Sequence, residues 1–229
     1  MIIKHVDIKE LNLTYFIGIN QISIDLAKLL DKTKSKNQDH LLNVIFEIID
    51  QIQNKYDVSA VQFFSQEYVL DQEHILNAIY FMEKAFLNNL NISNKKNIEL
   101  LLYLATNRQI KVSLEAFGIK NEDLKKGELL YCIISYKNNI NEINEEIIHL
   151  LQATEVEMNL NSRSIEKFHK IKTFFEIRDN QIMTVLKSYG ISNITNDLMN
   201  VKIEDLYVAL NDLICEKITL LSLEKFKLD

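Results

Sequence analysis

The sequence contains no proline and only four glycines among its 229 residues, so no Gly/Pro-rich linker marks a domain boundary. Its two cysteines, Cys132 and Cys215, lie in apolar segments, which favours buried free thiols over a disulfide. No apolar run is long enough to span a bilayer, and no signal peptide opens the chain. We therefore expect a soluble, cytoplasmic protein whose residues 1–229 form a single domain.

Common catalytic motifs are also missing, including the dinucleotide-binding glycine motif, the P-loop, the nucleophile elbow and the CxxC pair. One arrangement remains, a pair of E-x-x-H motifs formed by Glu146 with His149 and by Glu166 with His169. Two such motifs on different helices, with two further glutamates, hold the metals of di-iron bundles. Here a predicted strand separates the motifs, and a glutamate-rich chain contains such matches by chance. A metal-dependent enzyme is therefore the less favoured alternative.

The charge balance limits how the protein could bind nucleic acid. Hydrophobic residues make up 47% of the chain and charged residues 25%, which is typical of a globular protein with a core. The formal net charge at pH 7 is −6. This charge excludes nonspecific binding of nucleic acid by the whole surface, so any RNA contact must come from a local basic patch.

Apolar periodicity predicts an α+β protein. Alternation predicts strands over 1–9, 14–24, 58–64, 128–136 and 155–160. Helical stripes predict helices over 39–53, 72–90, 97–105, 142–151, 161–178, 181–189 and 204–226. Asp39 and Asp71 stand at candidate N-caps, and the lysine-bearing residues 28–37 are expected to form a loop. This order favours one domain with a mixed, mostly antiparallel sheet packed by helices and a helical C-terminal third.

The polar break after the helix at 97–105 contains a candidate anion contact. Thr106 and Gln109 have the spacing of a capping box. Asn107 and Arg108 would then lie in the first turn of the next helix, where unpaired backbone N–H groups and the helix dipole favour an anion. The pattern indicates a phosphate contact, and the alternative is a capped surface helix with a solvated arginine.

The short helix that follows the break has its own apolar pattern. Ile110, Leu114 and Phe117 recur at i, i+4 and i+7, which predicts one buried face. Gly118 follows as the expected left-handed stop.

Several segments resemble the PRPK-binding protein family (TPRKB), the small kinase-binding subunit of the KEOPS complex. The central ones are LLLYLATNRQIKVSLEAFGI at 100–119 and ELLYCIISY at 128–136. Upstream lie AVQFF at 60–64 and EHILNAI at 73–79, and downstream lie FEIR at 175–178 and CEKITLL at 215–221. These weak motifs stand in the order typical of the family. The chain departs from the pattern in two segments, about 25–57 and 181–205, which are expected to be insertions.

The resemblance implies a non-catalytic subunit without a cofactor. In that family the subunit binds the small atypical kinase/ATPase and helps recruit tRNA by its single-stranded 3′ CCA end. The complex then forms threonylcarbamoyladenosine at tRNA position 37. The implied tRNA contacts in this sequence are Arg108, Lys111, Asn107, His74, Asn77 and Lys84, and the implied kinase contacts are Leu213, Ile214, Lys217 and Leu221. A protein-interaction module without RNA binding is the alternative, and the net charge of −6 favours it.

Overall fold

The structure, a computed structural model, describes residues 1–33, 38–56, 60–191 and 198–223. The chain forms two compact units. Unit 1 comprises Met1–Ser65 and Gly118–Met158, and unit 2 comprises Gln66–Phe117 and Asn159–Asp229. The single-domain organisation and the two insertions stay predictions, and residues 34–37, 57 and 192–197 of those insertions lie outside the described residues.

Unit 1 is built on an open sheet. Within the described residues its strands are β1 (Ile2–Ile8), β2 (Leu13–Ser23), β3 (Ala60–Phe64), β4 (Glu128–Ser135) and β5 (Thr154–Glu155). The strand order is β1-β2-β4-β3, and β5 pairs with β2. All of these pairings are antiparallel.

The described part of unit 1 contains four α-helices: α1 (Leu26–Thr33), α2 (Gln38–Tyr56), α6 (Asn121–Lys126) and α7 (Ile140–Leu151). Their apolar residues share one core cluster with the sheet, in which Ile45 and Ile147 join Val61 and Tyr131. The helical stripes therefore bury their apolar sides against strands whose residues alternate between the two faces.

Unit 2 is helical in its described part. It contains α3 (Gln72–Leu87), α4 (Lys96–Ala105), α5 (Ile110–Phe117), α8 (Ile165–Phe174), α9 (Asp179–Ser188) and α10 (Ile203–Leu223). The long helix α10 packs against α3, α4, α8 and α9. Asp71 caps α3 as expected, because its carboxylate accepts the His74 N–H over 3.0 Å. No helix among the described residues is both long and apolar enough to cross a membrane.

The α+β class and the helical C-terminal third are confirmed, and several expectations about single elements are wrong. The left-handed stop expected at Gly118 is one of them, since the φ of this residue is not positive. Residues 28–33, expected in a loop, belong to α1, whose Leu29 is buried and whose first turn is capped by Asp25. Asp39 lies inside α2 rather than at its N-cap. The strand expected over 155–160 is formed only at Thr154–Glu155, which pair with β2, and the Val156 N–H adds one more hydrogen bond to Gln21 O. The pairing ends there because β1 occupies the same edge of β2 from Ile19 toward Leu13.

A buried hydrogen-bond network joins the sheet of unit 1 to α7. The Asn20 amide donates to Asn144 Oδ1 over 2.8 Å, and the Tyr131 hydroxyl donates to the same oxygen over 2.5 Å. Asn144 donates in turn to Glu155 Oε1 over 2.7 Å, and this hydrogen bond is the main cause that lowers the pKa of the Glu155 carboxyl. Asn144 is thus the centre of the network, because each of the other three side chains bonds to it.

We predict that Asn144→Ala destabilises the protein by about 3 kcal/mol, because it leaves the buried Tyr131 hydroxyl without its acceptor and leaves the Asn20 amide only its longer hydrogen bond of 3.4 Å to that hydroxyl. Urea unfolding followed by circular dichroism measures this change in the free energy of unfolding. Asn141→Ala is the matched control, since Asn141 is exposed on the same helix. A loss for Asn144→Ala no larger than that for the control would contradict the central role of Asn144.

Candidate functional site

Unit 2 contains a groove of about 290 Å³ between the turn that joins α4 to α5 and the C-terminal half of α10. Two of the residues that line it are cationic and none is acidic. The lining residues are Thr106, Asn107, Arg108, Lys217, Leu220 and Leu221.

The turn at the groove is formed by an unusual end of helix α4. Thr106 has φ 49° and ψ 36°, which is the left-handed region that favours glycine and asparagine. The N–H of Thr106 donates to Tyr103 O over 3.1 Å, and the N–H of Asn107 donates to Leu102 O over 3.0 Å. These two bonds form a Schellman motif. A β-branched residue at this position is strained by about 1–3 kcal/mol, and such strain clusters at ligand sites.

The predicted capping box is wrong, because Thr106 ends α4 instead of starting α5. Helix α5 begins at Ile110, so Asn107 and Arg108 precede its first turn. Asn107 stabilises this connection with its side chain, whose Oδ1 accepts the Gln109 N–H over 2.8 Å. The anion site therefore cannot use the dipole of α5 in the way that the sequence suggested.

Arg108 lies half-buried in the groove. Its Nη1 atom is buried and has no hydrogen-bond partner in the described part of the chain. Burial raises the pKa of the neighbouring Tyr103 hydroxyl, and the positive charge of Arg108 acts against that rise. An unpaired buried guanidinium N–H is costly, so Arg108 stands in this turn at the expense of some stability.

Lys217 reaches the same groove from α10. It is half-buried and forms no ion pair with any described residue. Lys217 follows Leu213 and precedes Leu221 by four residues each, so it interrupts a buried stripe, since both leucines are at most 6% exposed. A lysine inside an apolar stripe is a sequence signal for a binding site. The family resemblance instead implies that Lys217 contacts the kinase.

The structure does not bring His74 to the groove. Its side chain is 0% exposed, its Nδ1 accepts the Leu70 N–H over 3.3 Å, and its Nε2 lies 3.0 Å from Leu104 O. Since a carbonyl only accepts, the proton is on Nε2. Burial lowers the pKa of His74 to about 4, so the ring is neutral and serves the core. A side chain without accessible surface offers no contact to RNA.

Three other predicted tRNA contacts also lie outside the groove walls. The amide of Asn77 donates to the Sγ atom of Cys215 over 2.9 Å. Lys111 is exposed, and its Nζ atom lies 3.8 Å from Oε1 of Glu115 on the next turn of α5. Lys84 lines a separate cavity. Of the six predicted tRNA contacts, only Asn107 and Arg108 line the groove.

Three of the four predicted kinase contacts are buried in unit 2. Leu213, Ile214 and Leu221 are 6%, 0% and 5% exposed. Other apolar residues of unit 2 are exposed instead, such as Val208 on α10, and Ile110 and Leu114 on α5, which are 43% and 41% exposed. The buried face expected for α5 is therefore wrong at these two residues, while Phe117 is buried as expected.

The two E-x-x-H motifs fall in different units. Glu146 and His149 belong to unit 1, and Glu166 and His169 belong to unit 2. Glu146 accepts hydrogen bonds from Lys55 and Tyr56, which lower its pKa. The described residues contain no cluster of three or more His, Cys, Asp or Glu side chains that could hold a metal.

The burial of His74 gives a testable pH dependence. His74 has a pKa of 6.5 in the unfolded chain, whereas burial lowers its pKa to about 4 in the folded protein. The free energy of unfolding therefore has its full value above pH 6.5 and falls by about 3 kcal/mol as the pH drops toward 4. Urea unfolding at several pH values should show this slope in the wild type, and His74→Gln should reduce it. An identical slope in the variant would contradict the assignment.

Replacement of Thr106 by glycine tests the strain at the groove. Glycine adopts the left-handed region freely, so Thr106→Gly should raise the free energy of unfolding by about 1 kcal/mol despite the greater freedom of the unfolded chain. Thr106→Ala, which keeps a Cβ but removes the branch, should give a smaller gain. Destabilisation by the glycine variant would show that Thr106 makes a favourable contact that outweighs its strain.

One comparison with known proteins gives a match. The family model described as "Kinase binding protein CGI-121" matches residues 36–181, which is more than half of the chain. This range includes the turn with Arg108 and ends before α10. No curated protein sequence matches the chain.

Proposed function

Because this chain belongs to the CGI-121 family of kinase binding proteins, we propose that it is the non-catalytic, kinase-binding subunit of a KEOPS complex. In this proposal it acts in the cytoplasm and helps recruit tRNA by its 3′ CCA end, so that position 37 receives the threonylcarbamoyl group. Family membership supports the kinase partner. The groove with Arg108 and Lys217 is the observation that supports the RNA ligand.

The chemistry of the groove suits a phosphate of a single strand. Two of its lining residues, Arg108 and Lys217, are cations and none is acidic. A guanidinium matches phosphate oxygens in a bidentate geometry, while a lysine acts as a point charge. Leu220 is 49% exposed at the groove and supplies an apolar surface.

The size and charge of the molecule favour a strand end over a duplex. A duplex carries one negative charge per about 1.7 Å and requires an extended basic surface. This protein has a net charge of −6, and the groove of about 290 Å³ offers only two cations. A single-stranded end can enter such a groove while the rest of the tRNA stays outside it.

The outer face of α10 is the kinase surface in this proposal. Glu204, Val208, Asp212 and Glu216 recur every four residues, so they share one side of the helix. Val208 is 43% exposed, and Tyr189, which directly follows α9, is 56% exposed. The Tyr189 hydroxyl donates to the Asp212 carboxylate over 2.5 Å. An apolar centre with acidic neighbours fits a kinase surface that is apolar and basic.

The RNA proposal predicts that Arg108→Ala with Lys217→Ala weakens binding of intact tRNA by about tenfold or more. The slope of log K against log salt should also fall by about 1.4, since each phosphate contact with a single strand contributes about 0.7. A fluorescence titration over a range of KCl concentrations, with intact tRNA and with tRNA lacking the 3′ CCA, measures both quantities.

Lys187→Ala is the matched control, because Lys187 is an exposed lysine of unit 2 away from the groove. Wild-type binding that survives removal of the CCA would contradict a 3′-end reader. Wild-type affinity in the double variant would contradict the groove. If the wild type binds neither form of the tRNA, the protein is the interaction module without RNA binding.

The kinase proposal predicts that Val208→Arg with Glu216→Arg weakens binding of the KEOPS kinase by about tenfold or more, since the change places positive charge in the apolar centre and at its rim. Isothermal titration with the purified kinase of the same organism measures the affinity. Phe46→Arg with Asp50→Arg is the matched control, because it alters one exposed apolar and one exposed acidic residue on α2. Equal losses in the two double variants would contradict the α10 surface.

A further inference from the structure

A second cavity of unit 2, of about 280 Å³, lies where the C-terminal ends of α3 and α10 meet α4. It shares no lining residue with the groove. Most of its wall is apolar, with Phe81, Ala85, Leu90 and Leu223 as its hydrophobic residues. The rings of Phe81 and Tyr103 are nearly parallel, with centroids 6.3 Å apart. A cavity of this size and character accommodates a small apolar body.

Lys84 is the charged residue of this cavity. Its ammonium lies 5.9 Å from the centroid of the Tyr80 ring and 5.8 Å from that of the Phe81 ring. Within the described part of the chain no carboxylate forms an ion pair with it. A cation over aromatic faces beside an apolar cavity attracts an anion, because no internal carboxylate neutralises it.

Tyr103 supplies a second polar group to the same cavity. Tyr103 is 1% exposed as a residue and lines the cavity wall. A tyrosine hydroxyl at a largely apolar cavity wall is suited to donate a hydrogen bond to a ligand that carries an acceptor. Burial raises the pKa of Tyr103, so the hydroxyl keeps its proton at physiological pH and acts as a donor.

From these three features we infer that the cavity binds a small monocarboxylate with an apolar body. The carboxylate accepts from the Tyr103 hydroxyl and pairs with the Lys84 ammonium, and the body fills the space against Phe81 and Leu90. A phosphate monoester fits less well, because it carries about two negative charges at pH 7 and this cavity provides one cation. Lys84 then serves a ligand site of its own instead of the RNA groove, so this inference does not depend on RNA binding.

The test compares two acids with their neutral amides: 3-phenylpropionate with 3-phenylpropionamide, and 4-methylpentanoate with 4-methylpentanamide. Ligand-observed NMR titration of the full chain should show that at least one acid binds about tenfold or more tightly than its amide. Lys84→Met keeps the volume of the side chain and removes the charge, and Tyr103→Phe removes only the hydroxyl. Each substitution should weaken binding of that acid by about five- to tenfold and leave its amide almost unchanged.

Lys187→Met is the control for charge, since it makes the same substitution at an exposed lysine outside the cavity. Circular dichroism of every variant confirms that it is folded. The inference is overturned if neither acid binds at about 10 mM, the range of the weakest specific ligands. It is also overturned if acid and amide bind equally, or if Lys84→Met affects binding no more than Lys187→Met does.

Discussion

The structure of the candidate site depends on how helix α4 ends. Three consecutive carbonyls at this end have partners from different parts of the chain: Asn107 donates to Leu102 O, Thr106 to Tyr103 O, and His74 to Leu104 O. Carbonyls at a helix end otherwise require water or a capping group. Because the third bond comes from α3, the end of α4 is held by tertiary structure as well as by the local turn, which can therefore hold Thr106 in a strained conformation.

This arrangement explains why a neutral histidine matters to a site that it does not line. His74 can donate to Leu104 O and accept from Leu70 N–H only as the neutral tautomer with its proton on Nε2. Its burial, which lowers its pKa to about 4, keeps that tautomer populated at neutral pH. The position of Arg108, four residues after Leu104, thus rests on a hydrogen bond within the core.

Periodicity predicted most of the elements but not the connections that form the site. The strands near the N-terminus and the helices α3 and α10 were predicted because alternation and helical spacing are local properties. Thr106 was misassigned because Thr-x-x-Gln fits a capping box, while the conformation is decided by bonds back to α4. Contacts between helices decide that Lys84 lines a cavity, that His74 lies in the core and that Lys217 lines the groove. A single sequence does not reveal those contacts. Ile110 and Leu114 are exposed for the same reason. Their helical spacing predicts a shared face of α5, but it does not show whether another element packs on that face.

Helix α10 combines three roles, and this limits how its function can be tested. Leu213, Ile214 and Leu221 fill the core, Lys217 lines the groove, and Val208 and Glu216 lie on the exposed side. Removal of a buried leucine or isoleucine costs about 2–5 kcal/mol, so substitution of Leu213 or Ile214 would reduce every activity together by unfolding unit 2. Such a loss would imitate a binding defect. Within α10, substitutions at the exposed side and at Lys217 can separate the proposed kinase binding from the proposed RNA binding, because they alter one surface while the core stays intact.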